Sequence, residues 1–179
     1  MKFNHMQNYG LVSIITPTWN CAPFICETIR SIQAQTYPNW ELIISDDCST
    51  DNTWVICHDY AECYPEQVVL LENTHNLGIM ANFARVMKAC TGEYVGICAG
   101  DDYWHNSEKL QLQVEFMELH PNTVICHTDV NILNEHTGKI IQEYNKIKNI
   151  TPPEGRIQKD VIAGKEHIRA VTMCIRKDY

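Results

Sequence analysis

The sequence predicts an α/β fold built on a Rossmann-like, mostly parallel sheet with helices on both faces. Five short runs rich in β-branched residues alternate with segments whose apolar residues recur at helical spacing. Most of the runs are apolar on both faces, as expected of strands that are covered by helices on either side. Repeated alternation of strand and helix favours parallel strands that are joined by helical crossovers.

The strands follow from the β-branched runs. They are predicted at residues 12–15, 41–45, 68–71, 94–98 and 123–126. The first helix carries isoleucines at positions 25, 29 and 32, and the third carries apolar residues at 80, 83, 84 and 87. Ser49 or Thr50 is expected to cap the second helix, and Gly92 to end the third.

The fourth helix has two apolar stripes between residues 110 and 119, so we expect it to be buried broadly. Asn106 or Ser107 is expected to cap it, and His120-Pro121 ends it. After residue 126 the pattern changes to a turn at residues 134–138 between two extended pieces. A loop at 151–155, a short helix at 164–170 and a strand at 171–175 are predicted to follow.

Length and charge limit the class of protein. A chain of 179 residues favours one domain, and 14 basic against 22 acidic residues give a formal charge of −8. An acidic chain of this kind is not expected to bind nucleic acid or an anionic membrane surface. The apolar runs are far shorter than the ~20 residues of a transmembrane helix, so no membrane span is expected.

Cysteine usage points to a compartment. There are nine cysteines, an odd number, and no C-x-x-C pair occurs. This usage is typical of free thiols packed as small hydrophobic side chains in a reducing cytoplasm.

Polar clusters follow four of the predicted strands. Ligands of an open parallel sheet bind beyond the carboxyl ends of its strands, so these clusters are expected to share one edge. They occupy residues 16–20, 46–51, 73–78 and 99–102. Helix capping alone would not place polar residues so densely at one edge.

Asp101 and Asp102 are adjacent carboxylates on a tight turn after a buried strand. Mg²⁺ and Mn²⁺ bind few protein carboxylates together with the oxygens of a diphosphate, so one aspartate can hold the ion while the other contacts a sugar hydroxyl. Such an ion neutralises the charge that develops on a leaving phosphate. A solvated Asp-Asp turn is the alternative, although Gly100 favours close approach of a ligand to the backbone.

Asp46 and Asp47 form a second carboxylate pair. Ser49, Thr50 and Asp51 already supply enough capping groups for the next helix, so the pair is surplus to capping. A carboxylate can accept a hydrogen bond from the ring N–H of a nucleotide base. Both explanations, capping and base recognition, remain open from the residues alone.

Competing motifs are missing from the sequence. Neither the G-x-G-x-x-G of dinucleotide-binding folds nor the G-x-x-x-x-G-K-[ST] phosphate loop occurs. His58, His105, His127 and His136 lack metal-ligand spacing, and scattered histidines at the surface are the simpler interpretation.

Taken in order, four segments of the chain resemble family 2 inverting glycosyltransferases. They are VSIITPTWN at 12–20, ELIISDDCSTDNT at 41–53, NLG at 76–78 and GEY at 92–94 leading to Asp101-Asp102. Any one segment is weakly specific, but four in this order and spacing are highly specific. The resemblance covers residues 11 to 126 and implies the GT-A fold of nucleotide-diphospho-sugar transferases.

The resemblance implies roles for residues of the first two loops. Pro17 and Asn20 would contact the nucleotide, and Trp19 stands where the family commonly has tyrosine. Asp47 would bind the base, and Asp46 would support that loop.

It also implies roles after the fourth strand. Asp101 would contact the ribose or the diphosphate, and Asp102 would hold Mn²⁺ or Mg²⁺, because the pair stands where the family has its D-x-D motif. For Arg85, a role on the helix surface is favoured over contact with a phosphate.

One departure from the family concerns the general base. The family takes it from a Glu-Asp pair well after the D-x-D region, and no Glu-Asp dipeptide occurs in this chain. We therefore expect the catalytic base beyond Tyr179. On this interpretation residues 1–10 are a tail, and residues 11–179 are the donor-binding part of a catalytic domain that is truncated before the acceptor region. Alone it should be weakly active or inactive.

The function predicted from the sequence is metal-dependent inverting transfer of a sugar from a UDP-, dTDP- or GDP-linked donor to an acceptor hydroxyl. A glycan or lipid-linked acceptor in cell-envelope polysaccharide synthesis follows from family habit. We expect a cytoplasmic location, with peripheral association at the inner face of the membrane left open. The alternatives are a non-catalytic nucleotide-sugar-binding module and, less favoured, a sugar-nucleotide pyrophosphorylase.

Overall fold

A six-stranded sheet with helices packed against it forms the centre of the molecule. The computed structural model describes residues 9–150, residue 155 and residues 168–177. The expected tail 1–10 therefore lies outside the described residues except for its last two, as do the predicted loop 151–155 except residue 155 and most of the predicted helix 164–170.

Strands and helices alternate through the first two thirds of the chain, as predicted. The elements follow in the order β1 Val12–Thr18, α1 Ile25–Gln33, β2 Trp40–Asp46, α2 Thr53–Cys63, β3 Val68–Glu72, α3 Ile79–Ala89, β4 Tyr94–Ile97 and α4 Lys109–Leu119. Short elements come next: β5 Ile125–Cys126, β6 Ile132–Asn134, β7 Lys139–Ile141, α5 Tyr144–Ile147, a 3-10 helix Ala170–Thr172 and β8 Cys174–Arg176.

The strand order in the sheet is β3-β2-β1-β4-β8-β5. The first four strands are parallel, with Thr18 opposite Asp46 at the carboxyl end of the β1–β2 pair. β8 inserts between β4 and β5 and is antiparallel to both, a position that was not predicted. The predicted mostly parallel sheet is confirmed.

Apolar residues on the two faces of the sheet form two separate clusters. The larger one packs Ile14, Leu42 and Tyr94 against α1 and α4. The smaller one packs Ile15, Ile43 and Ile97 against Val86 of α3. Consecutive residues of one strand point to opposite faces, which explains why the strands are apolar throughout and not alternating.

Several local predictions were wrong in detail. α4 buries only one of its two stripes, with Leu110, Val114 and Met117 inside, whereas Phe116 and Leu119 are exposed. The segment predicted as a strand at 171–175 begins as a 3-10 turn instead. Its cause is local, because Thr172 Oγ1 donates to the Arg169 carbonyl oxygen at 2.7 Å and closes that turn.

The start of α2 and the end of α3 also differ from the predicted positions. α2 begins at Thr53, whose backbone N–H donates to Asp51 Oδ1 at 2.9 Å, so neither Ser49 nor Thr50 caps it. α3 ends at Ala89, and Gly92 instead donates its N–H to Ser13 Oγ at 2.8 Å. No helix in the described ranges has the length and apolar character needed to cross a bilayer.

Candidate functional site

The end of β1 lies between the ends of β2 and β4 and joins the loops that follow them. The Thr18 carbonyl oxygen accepts a hydrogen bond from the Asp47 N–H at 2.9 Å, and the Pro17 carbonyl oxygen accepts one from the Gly100 N–H at 3.2 Å. Backbone hydrogen bonds thus hold three loops side by side. We call these loops, residues 19–22, 47–51 and 98–102, together with Asp46, the carboxyl rim.

Asn20 fastens the first loop of the rim to the second. Its backbone has φ 52°, a left-handed conformation that asparagine tolerates better than most residues. The Asn20 N–H donates to Ser49 Oγ at 2.8 Å, and Asn20 Oδ1 accepts from the Thr50 N–H at 2.8 Å. The neighbouring Trp19 side chain is 55% exposed, so its ring is free to contact a ligand at the rim.

Asp46 is buried and serves its own loop. Its carboxylate accepts hydrogen bonds from the Ser49 N–H at 3.0 Å and from Ser49 Oγ. Between them, Cys48 takes a left-handed φ of 58°. The role implied by the resemblance, support of the loop, is the one that these contacts allow.

Asp47 holds the segment that follows β3. Its side chain is 3% exposed and accepts three hydrogen bonds: from Asn73 Nδ2 at 3.1 Å, the Leu77 N–H at 2.7 Å and the Gly78 N–H at 2.8 Å. A carboxylate has about four lone-pair sites, so about one is left for a ligand. Recognition of a base by Asp47 stays a prediction.

A buried amide cluster behind Asp47 was missed by the sequence reasoning. Asn82 Oδ1 accepts from Ser45 Oγ at 2.6 Å and from Asn73 Nδ2 at 3.1 Å, while Asn82 Nδ2 donates to the Ser45 carbonyl oxygen at 2.9 Å. Single asparagines in α3 and after β3 carry no sequence signal that they meet. The cluster fixes the end of β2 against α3.

The Asp101-Asp102 turn is held from below by α1. Thr28 Oγ1 lies 3.1 Å from the Gly100 carbonyl oxygen and 2.7 Å from that of Asp102. The Asp102 N–H donates to the Ala99 carbonyl oxygen at 2.9 Å. These contacts use only backbone atoms of the turn and leave both carboxylates available.

Gly100 is required by the packing of this turn. A Cβ atom at this position would lie 2.7 Å from Thr18 Cβ and closer still to Thr18 Oγ1. Such contacts are too short for real side chains. Glycine therefore lets the turn approach the end of β1, whereas the close approach of a ligand to Gly100 stays a prediction.

The carboxyl group of Asp102 is in an unusual electrostatic environment. Burial raises the pKa of Asp102 to about 6, the charge of Asp101 acts in the same direction, and Arg169 opposes it. Two crowded carboxylates suit a divalent cation, which relieves their repulsion and prefers oxygen ligands. The residues present thus fit Mg²⁺ or Mn²⁺.

A cleft of about 910 Å³ opens beside the turn. Asp101, Asp102, Lys109 and Arg169 line it, together with residues of the β6–β7 hairpin. Of the seven residues predicted for the site, Asp101 and Asp102 alone line this cleft. Trp19, Asn20, Asp46 and Asp47 lie in the β1 and β2 part of the rim, and Pro17 lies just before it in β1.

Lys109 is a cleft residue that the sequence reasoning did not single out. It is 8% exposed, its Nζ donates to Gln113 Oε1 at 2.6 Å, and Nζ lies 4.3 Å from the centre of the Trp104 ring. Burial lowers the pKa of Lys109 to about 8. Trp104 itself is buried, as expected of a packing residue, and donates Nε1–H to the Val171 carbonyl oxygen at 3.1 Å.

Two further groups have surface roles. Arg85 Nη2 donates to the Glu72 carbonyl oxygen at 2.8 Å in an exposed position, which agrees with a helix-surface role. His58, Asp59 and Glu62 bring possible metal-ligand atoms within 4.8 Å of one another on the exposed side of α2, a proximity that the sequence reasoning did not anticipate. Exposed acidic clusters of this kind are common without a metal.

The sequence model described as "Glycosyl transferase family 2" matches residues 13–179. The chain belongs to this family. The resemblance found in the four sequence segments is thereby confirmed.

Comparison with individual proteins also supports membership in this family. The chain is 36% identical over 108 residues to the Escherichia coli protein named UDP-Glc:alpha-D-GlcNAc-diphosphoundecaprenol beta-1,3-glucosyltransferase WfaP, covering 60% of this chain and 41% of the relative. It resembles S. aureus TarS 1-349, solved in complex with UDP-GlcNAc, with a TM-score of 0.70 and 25% identity over 93% of this chain and 45% of TarS 1-349.

A third relative was solved with a metal. Mannosyltransferase PcManGT from Pyrobaculum calidifontis, in complex with GDP-Man and Mn²⁺, matches with a TM-score of 0.61 and 28% identity over 75% of this chain and 37% of that protein. These structural neighbours confirm the GT-A fold. The chain spans less than half the length of each of the three relatives.

Proposed function

We propose that this chain is the donor-binding part of a metal-dependent inverting glycosyltransferase. In the reaction, an acceptor hydroxyl oxygen bonds to the anomeric carbon of the sugar while the bond from that carbon to the diphosphate oxygen breaks. The hydroxyl proton passes to a general base, which we expect beyond Tyr179. Membership in the family favours this function over a sugar-nucleotide pyrophosphorylase.

The observation that carries the proposal is the placement of crowded carboxylates next to a cleft at the carboxyl rim. Asp102 would hold Mn²⁺ or Mg²⁺, and Asp101 would contact the ribose or diphosphate. The ion would neutralise charge on the departing diphosphate. The raised pKa of Asp102, caused first by burial and then by Asp101, and the Mn²⁺ in PcManGT support this assignment.

The nucleotide would lie along the β1 and β2 part of the rim. The exposed Trp19 ring is suited to contact the base, and Asp47 has about one lone-pair site left to accept from a ring N–H. Pro17, Asn20 and Asp46 would shape the loops that receive it. TarS in complex with UDP-GlcNAc supports a nucleotide sugar as the donor.

The acceptor is proposed to be a glycan or a lipid-linked sugar in cell-envelope polysaccharide synthesis. The name of WfaP, which specifies a lipid-diphosphate-linked sugar, supports a lipid-linked acceptor. The 910 Å³ cleft lies beside the proposed metal residues, where a sugar on the diphosphate would project. Inversion is tested by the anomeric configuration of the product, read by NMR.

Thermal unfolding with nucleotides tests donor binding. The panel is UDP, dTDP, GDP, CDP and ADP, each with Mn²⁺ and with a chelator. A ligand that binds only the folded state adds RT ln(1 + [L]/Kd), about 2.7 kcal/mol at a hundredfold excess over Kd. We expect one diphosphate to raise the melting temperature only when Mn²⁺ is present. If none shifts it, this chain does not form a donor site by itself.

Asp102→Asn tests the metal assignment. The variant removes the charge but keeps the shape, so we expect the Mn²⁺-dependent shift to vanish while the fold is retained. Glu66→Gln is the matched control, since Glu66 is exposed and precedes β3 at the opposite edge of the sheet. If Asp102→Asn responds to Mn²⁺ and nucleotide like the parent, Asp102 is not the metal residue. The alternative function, a non-catalytic nucleotide-sugar-binding module, also predicts metal-dependent binding of the nucleotide. It differs in predicting no sugar transfer by the longer protein.

A further inference from the structure

Two cysteines face each other across the last two strands of the sheet. Cys126 of β5 lies directly opposite Cys174 of β8 in the antiparallel ladder. Two positions away, the Arg176 N–H donates to the Val124 carbonyl oxygen at 2.8 Å, so Val124 and Arg176 are a hydrogen-bonded pair. Hydrogen-bonded and non-hydrogen-bonded pairs alternate along an antiparallel ladder, so the two cysteines are also a hydrogen-bonded pair. Such pairs have Cα atoms about 5.5 Å apart, within the range of about 4.4–6.8 Å that disulfides span.

The two thiols are on one face and in contact. Directly opposite residues of an antiparallel pair project to the same side. Cys126 Sγ donates to the Gln113 carbonyl oxygen of α4 at 3.8 Å, and Cys174 belongs to the core cluster that includes α4. Cys126 also packs against the core cluster that contains Cys174, and each thiol shifts the pKa of the other. Both are free thiols in the structure.

The pair is chemically asymmetric. Cys174 is fully buried, whereas Cys126 is only partly so. The neighbouring Cys174 thiol lowers the pKa of Cys126, with the Lys109 ammonium acting in the same direction, whereas the Cys126 thiol and burial raise the pKa of Cys174. Thiols that react with peroxide are accessible, have thiolate character and lie next to a resolving cysteine.

We propose that Cys126 and Cys174 form a peroxide-sensitive dithiol that closes to a disulfide between β5 and β8. The Cys126 thiolate attacks hydrogen peroxide, which gives a sulfenic acid and a hydroxide ion, and the hydroxide takes up the proton that Cys126 released. The Cys174 sulfur then attacks the sulfenic acid sulfur, and water leaves. Two thiols and one peroxide thus give one disulfide and two waters, with peroxide reduced and sulfur oxidised.

The disulfide would fix one wall of the cleft. β8 follows the 3-10 helix Ala170–Thr172, whose Thr172 carbonyl oxygen accepts from Gln113 Nε2 at 2.9 Å. The Val171 carbonyl oxygen accepts from the buried Trp104 indole. Cross-linking β8 to β5 closes a chain loop between residues 126 and 174, which restricts the unfolded state and raises thermal stability.

Peptide mapping tests the proposal on the unmodified protein. Trypsin releases Cys126 in a peptide of residues 110–139 and Cys174 in a peptide of residues 170–176, and neither peptide holds a second cysteine. After treatment with one equivalent of hydrogen peroxide, we expect these two peptides joined, with the intact mass lower by two hydrogens. Dithiothreitol should restore both peptides and lower the melting temperature again.

Variants separate the two roles. In Cys174→Ser, the Cys126 sulfenic acid should persist and be trapped by a 1,3-dione reagent, while in Cys126→Ser the buried Cys174 should stay reduced. Cys63→Ser is the matched control, because Cys63 is exposed on α2, and it should form the cross-linked peptide like the parent. The proposal is overturned if the joined peptide forms only after unfolding in urea, or if Cys63 is oxidised while Cys126 and Cys174 stay reduced.

Discussion

The two carboxylate pairs of the rim have opposite environments. Asp46 and Asp47, after β2, are each 3% exposed, and hydrogen-bond donors of their own and the next loop surround them. Asp102, after β4, accepts no hydrogen bond from the described residues at its carboxylate, and burial and Asp101 raise its pKa. The Asp-Asp dipeptide thus holds loops together at the end of β2 and stays open to a ligand at the end of β4.

This difference separates two uses of a buried carboxylate. Where protein N–H groups fill the lone pairs, removing the carboxylate leaves donors unsatisfied and costs stability. Where they do not, as at Asp102, Arg169 stabilises the charge only in part, and a bound cation would stabilise it further. Substitutions in the β2 half of the rim should therefore act mainly on folding, and substitutions in the β4 half mainly on binding.

Asp47→Ala should have the largest effect. It leaves the Leu77 N–H, the Gly78 N–H and Asn73 Nδ2 without their acceptor, so we expect a loss of about 3 kcal/mol in the free energy of unfolding. Urea unfolding measures it. Asp47→Asn, which keeps one acceptor oxygen, should lose about half as much. An unchanged urea midpoint in Asp47→Ala would show that this carboxylate does not hold the loop.

The same variant should also bind nucleotide more weakly with or without metal, since the loop that Asp47 fastens borders the rim. Thermal shifts with the chosen nucleotide and a chelator measure this effect separately from the loss of stability. Unchanged affinity in folded Asp47→Ala would confine the residue to the structure of the loop.

Gly100→Ala tests the junction between the halves and should have the next largest effect. The added Cβ collides with the Thr18 side chain, and overpacking of this kind costs about 2 kcal/mol. A second substitution, Thr18→Ala, removes Oγ1 and should recover part of the loss in the double variant. A double-mutant cycle in urea measures this coupling. Additive effects would mean that the two residues do not press on each other.

The positions of the first four strands along the chain could be predicted from the sequence, because β-branched runs buried on both faces are a local signal. The place of Pro17, Asp47 and Asp102 near one edge followed from the rule that strands of a parallel sheet end together. The insertion of β8 between β4 and β5 could not be predicted from the sequence, because it depends on pairing between strands that are far apart in the chain.

The roles within the rim were also beyond the sequence. Whether a carboxylate is open depends on donors from distant residues, and the donors to Asp47 lie 26 to 31 positions away. The Asp101-Asp102 turn has no such donors at the carboxylate of Asp102 among the described residues. The pairs Asp46-Asp47 and Asp101-Asp102 are the same dipeptide in the sequence, and only the fold distinguishes their roles.

Lys109→Met should have the smallest effect, and of the opposite sign. Burial lowers the pKa of Lys109 from 10.5 to about 8, so between these values the unfolded chain holds a proton that the folded chain does not. The contribution of Lys109 to stability is therefore present above about pH 10.5 and is lost as the pH falls through about 8. At pH 7 the folded protein must bury a charged ammonium, and this costs stability. Lys109→Met removes that cost but also the contacts with Gln113 and Trp104, which leaves a net gain of about 1 kcal/mol in the free energy of unfolding.

Urea unfolding of the parent and of Lys109→Met, from pH 7 to pH 11, tests this reasoning. The difference between the two proteins isolates Lys109 from the cysteines and tyrosines that titrate in the same range. The advantage of the variant should shrink from about pH 8 upwards, and a difference that does not change with pH would mean that the ammonium is well solvated in the folded protein. A shrinking difference would show that Lys109 is a buried cation kept at a cost in stability, in the same cleft that Asp102 lines.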